Sequence, residues 1–221
     1  MGTYAVGNAT KERIRSAARG LFYARGISAV TDSEICREAG IQRGLVGYHF
    51  GNRGALVASI YAEYVEALRD TVQRRFPTDD PALSYCILEH LLVEMLFRNT
   101  QMRRFYVDLF RFKEAAEEEV RVQHEQMERI LTHEGNELDV EQLKIAVTIS
   151  QGTFNELIRC VDIGYLDGDI EKAIETDLHV ALMLIDMRST ARDQLIAKTA
   201  DTIRGYKLAT GKAMKPRIIG G

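Results

Sequence analysis

Tryptophan is absent from this 221-residue chain, and proline and cysteine occur three times each. So few prolines leave long helices uninterrupted, because each proline removes a backbone donor and collides with the preceding turn. Cys36, Cys86 and Cys160 are odd in number and widely separated. That suits neither a disulfide framework nor a metal knuckle, and reads as reduced thiols in a cytoplasmic protein. No apolar run approaches the roughly 20 residues needed to span a bilayer, so no membrane partner is expected. The opening MGTYAVGNATKERI lacks the apolar core of a secretion signal. Signatures of catalysis are missing as well: there is no nucleophile elbow, no phosphate-cradling glycine loop closed by Lys-Ser/Thr, and no His-Glu-x-x-His. His124, His133 and His179 have no clustered ligand-type partners. Neither a metal nor another cofactor is expected, and nothing supports an enzyme.

What is present is helical periodicity. Hydrophobic residues make up 46% of the chain, enough for a core. Residues 1–9 read as a loose arm. From Thr10, residues Ile14, Ala17, Ala18, Leu21 and Phe22 recur at the spacing of one helix face, and Gly26 closes that helix. Thr31 and Glu34 stand at capping-box spacing ahead of a short helix carrying Ile35 and Ala39. Gly40 breaks it, and a second short helix is expected from Ile41 to near His49. A long helix follows from near Asn52 to Pro77, then one over 81–97 that is apolar on nearly every side. Helices over 101–112, 114–132, 140–161, 170–187 and 190–208 complete the set. No segment alternates as a strand would. The fold class is therefore all-α, with a three-helix helix-turn-helix unit over residues 1–55 and a larger helical unit over 56–221.

Charge is divided between the two. Residues 1–57 hold eight Lys/Arg and four Asp/Glu, a net of +4, while the remainder carries −7. A basic head on an acidic body fits a polyanionic partner for the head. Within the head, GIQRGLVGYHFGNRGAL (40–56) crowds five glycines among hydrogen-bonding and cationic side chains. The second short helix can enter a major groove, where Arg43 can grip guanine, Gln42 adenine, and Leu45 a thymine methyl. Tyr48 and His49 can bond phosphate or base, Arg53 suits a phosphate at the start of the long helix, and Thr31 can touch phosphate while capping.

Residues 10–57 resemble the DNA-binding domain of the tetracycline-repressor (TetR-like) family. The resemblance is carried by Ile14, Ala17–Ala18, Leu21–Phe22, Gly26, Thr31, Glu34–Ile35, Ala39–Gly40–Ile41, Gly44, Tyr48–His49–Phe50, Asn52–Arg53 and Leu56. It implies a double-stranded DNA operator as partner, a ligand-responsive repressor as function, and a regulatory body with a cavity for a small organic effector. Gly47, Gly51, Asp32 and Gly54 depart from the family pattern. Gly47 and Gly51 support an alternative reading, a helical interaction or adaptor protein with a degenerate DNA-binding module.

Candidates for the cavity come from the buried helices: Tyr61, Tyr64, Tyr85, Cys86, His90, Met95, Phe97, Met102, Tyr106, Phe110, Phe154 and Asn155. The effector expected there is mainly apolar with one or two polar groups, handled by His90 or Asn155. A homodimer is expected, because operator reading by this motif needs two recognition helices about 34–36 Å apart. The helices over 140–161 and 170–187 are the expected interface, with Ala146 and Gly152 allowing close approach.

Overall fold

The computed structural model describes residues 2–221, with side chains described from Gly7 onward. Among the described residues ten helices follow in order: α1 (Gly2–Arg25), α2 (Asp32–Ala39), α3 (Leu45–Phe50), α4 (Arg53–Arg75), α5 (Pro81–Arg98), α6 (Thr100–Leu109), α7 (Lys113–Glu134), α8 (Val140–Asp162), α9 (Ile170–Leu184) and α10 (Ser189–Thr202). Two strands, β1 (Tyr206–Thr210) and β2 (Pro216–Gly220), close the chain as an antiparallel hairpin.

Local chemistry sets most of the boundaries. Thr31 accepts from the Glu34 amide, and Glu34 accepts from the Thr31 amide, a complete capping box at the start of α2. Asp80 accepts from the Ala82 and Leu83 amides, with Pro81 as the first residue of α5. A second capping box, Asp139 with Gln142, opens α8. Helix α5 is buried along nearly all its length and forms the axis of the body, with α4, α7, α9, α10 and the hairpin packed round it. One continuous cluster of buried side chains runs from Ile14 in α1 to Met214 in the hairpin loop.

The structure differs from the sequence reading in three places. Residues 2–9 belong to α1 rather than to a loose arm. Met1 lies outside the described residues. The recognition helix starts at Leu45, not Ile41: Gly44 takes a left-handed conformation (φ 90°) ahead of it, so Gln42 and Arg43 sit in the turn. The helical class stands, but the last helix, expected over 190–208, stops with α10 at Thr202, and residues from Tyr206 form the hairpin. Gly205 (φ 81°) ends the helical run there. Five residues of alternation are too short to distinguish from the end of an amphipathic helix.

The hairpin is anchored rather than appended. Leu208, Thr210 and Met214 are buried. The Thr210 hydroxyl lies 3.0 Å from the Tyr64 hydroxyl of α4, and its carbonyl accepts from Asn99 Nδ2 at 3.1 Å and Tyr23 Oη at 3.3 Å. It thereby ties α1, α4 and the α5–α6 junction together.

Arg53 has a structural post in the head. Its guanidinium donates to Asp32 (2.6 Å) and to the carbonyls of Ile27 (2.7 Å) and Val30 (2.5 Å), and stacks over Phe22 at 5.3 Å. Asp32, unusual at its position, is explained by this pairing. Replacing Arg53 with alanine leaves the Val30 carbonyl without a donor and the Ile27 carbonyl with only the Val30 amide at 3.3 Å, so Arg53→Ala is expected to destabilise the protein by about 2 kcal/mol, read as a lower denaturant midpoint. Arg53→Lys restores little, because an ammonium cannot span the three acceptors. An unchanged midpoint for the alanine variant would show the brace to be dispensable.

Candidate nucleic-acid interface and buried cavity

The turn between α2 and α3 is held by a cation. Arg13 of α1 donates to the carbonyls of Ala39 (2.6 Å) and Gly40 (2.8 Å), and Gly40 is left-handed at φ 62°. That fixes α3 against α1 and α2 and leaves its outer side in solvent. Gln42, Arg43 and Tyr48 are exposed, Tyr48 by 81%, while Leu45 and His49 are half-buried. The rings of Tyr48 and His49 meet edge to face at 5.0 Å. Arg43 has no hydrogen bond or ion pair among the described residues, so its guanidinium is available to a base or phosphate. Thr31 is exposed, with its hydroxyl already engaged by Glu34. Arg53 is the exception among the expected contacts: three of its five donors are engaged within the head, which holds the guanidinium in place there.

Two of the departing glycines acquire reasons. Gly51 (φ 80°) ends α3 and turns the chain into α4, a conformation a side chain would strain. Gly54 sits where any Cβ would collide with the Glu114 carboxylate, which also accepts from Asn52 at 2.8 Å; the first turn of α7 thus docks on the start of α4. Gly47 has open space around it and a helical backbone, and nothing in the structure explains it.

Inside the body lies a small cavity of about 30 Å³, room for one or two waters. Of the expected lining residues, Tyr61, Tyr64, Tyr85, Tyr106 and Phe154 are there. Tyr106 meets Tyr61 and Phe154 edge to face, with centroids 6.2 and 5.4 Å apart. Phe110 supports the cage from behind, edge-on to Tyr106 at 5.5 Å. The other candidates do not line it. The Cys86 thiol faces Thr199 of α10, and burial pushes its pKa up. His90 lies 3.5 Å from Glu171 of α9. Met102 is fully buried in the core of α6, and Phe97 is half-buried against that core. Met95 borders a surface groove beside the hairpin. The Asn155 amide oxygen is buried without a hydrogen-bond partner, away from the cavity.

Polar groups that sequence reasoning missed complete the lining: Glu89 of α5, Gln123 of α7, Ser150 and Gln151 of α8, and Asp177 of α9. Gln123 donates to the Tyr85 hydroxyl at 3.0 Å. Beside them, the Tyr106 hydroxyl donates to Glu119 at 2.5 Å. Burial raises Glu89 to about 8, helped by the charges of Asp177 and Glu119 and opposed by Arg69. Burial likewise raises Glu119 to about 8, against the Tyr106 hydrogen bond, and Asp177 to about 7. The only sequence signal is an acid interrupting an otherwise apolar face, as Asp177 does among Ile174, Leu178 and Ala181.

Comparison with known proteins agrees with this anatomy. The family model described as bacterial regulatory proteins, tetR family, matches residues 14–60. The probable HTH-type transcriptional regulator ArpR of Pseudomonas putida is 25% identical over 189 residues, covering 76% of this chain and 90% of that protein. The HTH-type transcriptional regulator TtgR, also of Pseudomonas putida, shows the same identity and coverage. In three dimensions the chain is similar to the crystal structure of RolR in complex with resorcinol, at TM-score 0.63 and 20% identity, covering 89% of this chain and 96% of that one.

The buried acids make stability depend on pH. Their folded pKa values lie above the unfolded ones, so the folded chain holds protons that the unfolded chain releases above about pH 4.5. That stability is present at low pH and is lost as pH rises towards 8, by up to about 1.4 kcal/mol per pH unit for each proton held. Arg69 and the ring hydroxyls of Tyr61, Tyr85 and Tyr106 face the same cluster and do not titrate in this window. His90, lowered by burial, opposes the trend with one proton against three. The thermal midpoint is therefore expected to be higher at pH 6 than at pH 8, and the slope to be shallower in Asp177→Asn. A midpoint that rises with pH over this interval would contradict the assignment.

Proposed function

The chain is a TetR-like transcription regulator, and from that premise we propose that it is a cytoplasmic homodimeric repressor, released from its operator when a small organic effector enters the body. Residues 1–55 read DNA and residues 56–221 sense and dimerise, with α4 shared between them. No helix among the described residues is long and apolar enough to cross a membrane.

The observation that carries this reading is the double attachment of α6. Tyr106 on α6 lines the cavity. Two residues further on, Asp108 accepts from the Ser28 amide (3.0 Å) and hydroxyl (2.9 Å) in the loop between α1 and α2. Arg104, on the same helix, donates to the Ala24 carbonyl at 2.7 Å. Any ligand that displaces Tyr106 therefore pulls on the head within one helical turn. A ligand shifts the equilibrium only by its differential affinity for the two arrangements, and about 1–3 kcal/mol of coupling weakens DNA binding roughly 5- to 150-fold. Tyr64 offers a parallel route, joining the cavity to Thr210 and so to Tyr23 of α1. The complex of RolR with resorcinol supports a small-molecule site in a body of this fold.

Dimerisation is supported by where apolar surface is left in water. Of nine large exposed hydrophobic residues among those described, six lie on α8, the loop after it, or α9: Val140, Ile145, Ile149, Ile163, Tyr165 and Met183. Such a concentration is costly in a monomer. Gly152 is on that face with open space around it. Ala146, expected beside it, is instead buried in the chain's own core.

A gel shift over a salt series, against DNA upstream of the protein's own gene, tests these roles together. Arg43→Ala is expected to cost about 1–3 kcal/mol and to relax preference at one base pair. Ile149→Glu yields a monomer in sedimentation and loses operator affinity. Asp108→Asn still binds operator but responds less to any ligand that dissociates the wild type. Wild-type protein that binds no duplex more tightly than random DNA would sink the reading.

A further inference from the structure

Glu89 and Asp177 are 8% and 5% exposed, line the cavity, and have no hydrogen bond or ion pair among the described residues. That is rare for buried carboxyls, which are normally paired or avoided. They come from different helices, α5 and α9, so their convergence is a product of the packing. A third acid, Glu119, holds only the Tyr106 hydroxyl. The nearest cation does not relieve them. Arg69 is turned to a neighbouring surface groove, where it donates weakly to the Val122 carbonyl at 3.4 Å. Around the acids stand the faces and edges of Tyr61, Tyr85, Tyr106 and Phe154.

We propose that this cavity recognises an organic cation, an ammonium or amidinium group whose N–H donors bond Glu89 and Asp177 while its apolar part lies among the aromatic rings. Three features select that class over others. A neutral apolar effector would bury two carboxyls against hydrocarbon and gain nothing from them. An anion would face three acids and no cation among the lining residues, Arg69 being turned to the neighbouring groove. A cation pairs with the carboxyls in a low-dielectric site and is also attracted to the ring faces. Acids left unpartnered in this way are relieved either by keeping a proton or by pairing with a bound cation, and the second favours the ligand-bound arrangement. The cavity of about 30 Å³ is smaller than any such ligand, so entry must part the rings, and Tyr106 is the ring attached to the helix that holds the head. The effector class rests on the reading of the protein as an effector-released regulator, but the binding site does not.

The experiment uses the full-length protein and three isosteric probes: benzamidine, the cation; benzamide, its neutral counterpart; and benzoate, the anion. Binding is read by calorimetry and thermal shift at pH 8, and operator release by gel shift. Benzamidine is expected to bind at least about tenfold more tightly than benzamide, with benzoate weakest. Glu89→Gln and Asp177→Asn are each expected to weaken benzamidine at least about tenfold while narrowing the preference over benzamide. Both variants should melt above the wild type without ligand, which separates loss of the charge from loss of the fold. Equal affinity for benzamide, unchanged benzamidine affinity in both variants, or no benzamidine binding at millimolar concentration would each overturn the cation site. Benzamidine binding without operator release would leave the site standing and overturn the effector-release reading. Operator release by neutral ligands alone would do the reverse.

Discussion

Two kinds of buried carboxylate organise this protein, and the difference between them is whether a partner is supplied. Asp108 is buried and satisfied: the amide and hydroxyl of Ser28 donate to its two oxygens, and Arg111 approaches at 3.6 Å. That contact fixes the body to the loop between α1 and α2. Glu89 and Asp177 are buried and have no protein partner among the described residues. Since an acid inside a protein costs free energy unless it is paired, the first kind holds a junction closed and the second leaves a site with an unmet demand. Helix α6 connects the two, carrying Asp108 at the junction and Tyr106 at the cavity.

The head is built to be rigid apart from that connection. Arg13 clamps the turn before α3, Arg53 clamps the loop before α2, and the Thr31–Glu34 capping box, extended by Arg25, fixes the start of α2. Each cation reaches across the chain to backbone carbonyls or a carboxylate, so the three short elements move as one body. Much of the head's positive charge is consequently structural. The side chains left for DNA are few, and they cluster round the turn and outer face of α3, where Gln42, Arg43 and Tyr48 are exposed. Gly51, which loosens the stretch on paper, is demanded by a left-handed turn, and Gly54 lies where the Glu114 carboxylate of α7 approaches α4. The case for a degenerate module loses that support, and only Gly47 remains without a structural reason.

The sequence by itself determined the helical class, nearly every helix in the body, and the presence of a helix-turn-helix head. These follow from short-range rules: capping boxes, a Pro after an Asp cap, left-handed glycines and the 3.6-residue recurrence of apolar side chains all act within a few residues. It also identified the tyrosines of the cavity, because large aromatic residues on buried helix faces have few other places to go. Only the tertiary structure decided the rest. The hairpin escaped because five alternating residues carry too little signal, and it forms through contacts with Tyr64, Tyr23 and Asn99, all far away along the chain. Arg53 became a brace because Asp32 and two loop carbonyls converge on it. Cys86 and His90 turned away from the cavity because α5, buried on nearly every side, offers no periodicity from which to choose a face, while Met102, on α6, is taken into the core. The acids that give the cavity its character came from three separate helices. On each helix alone a carboxylate reads as solvated surface, and only packing decides that it meets others of the same charge with no cation between them.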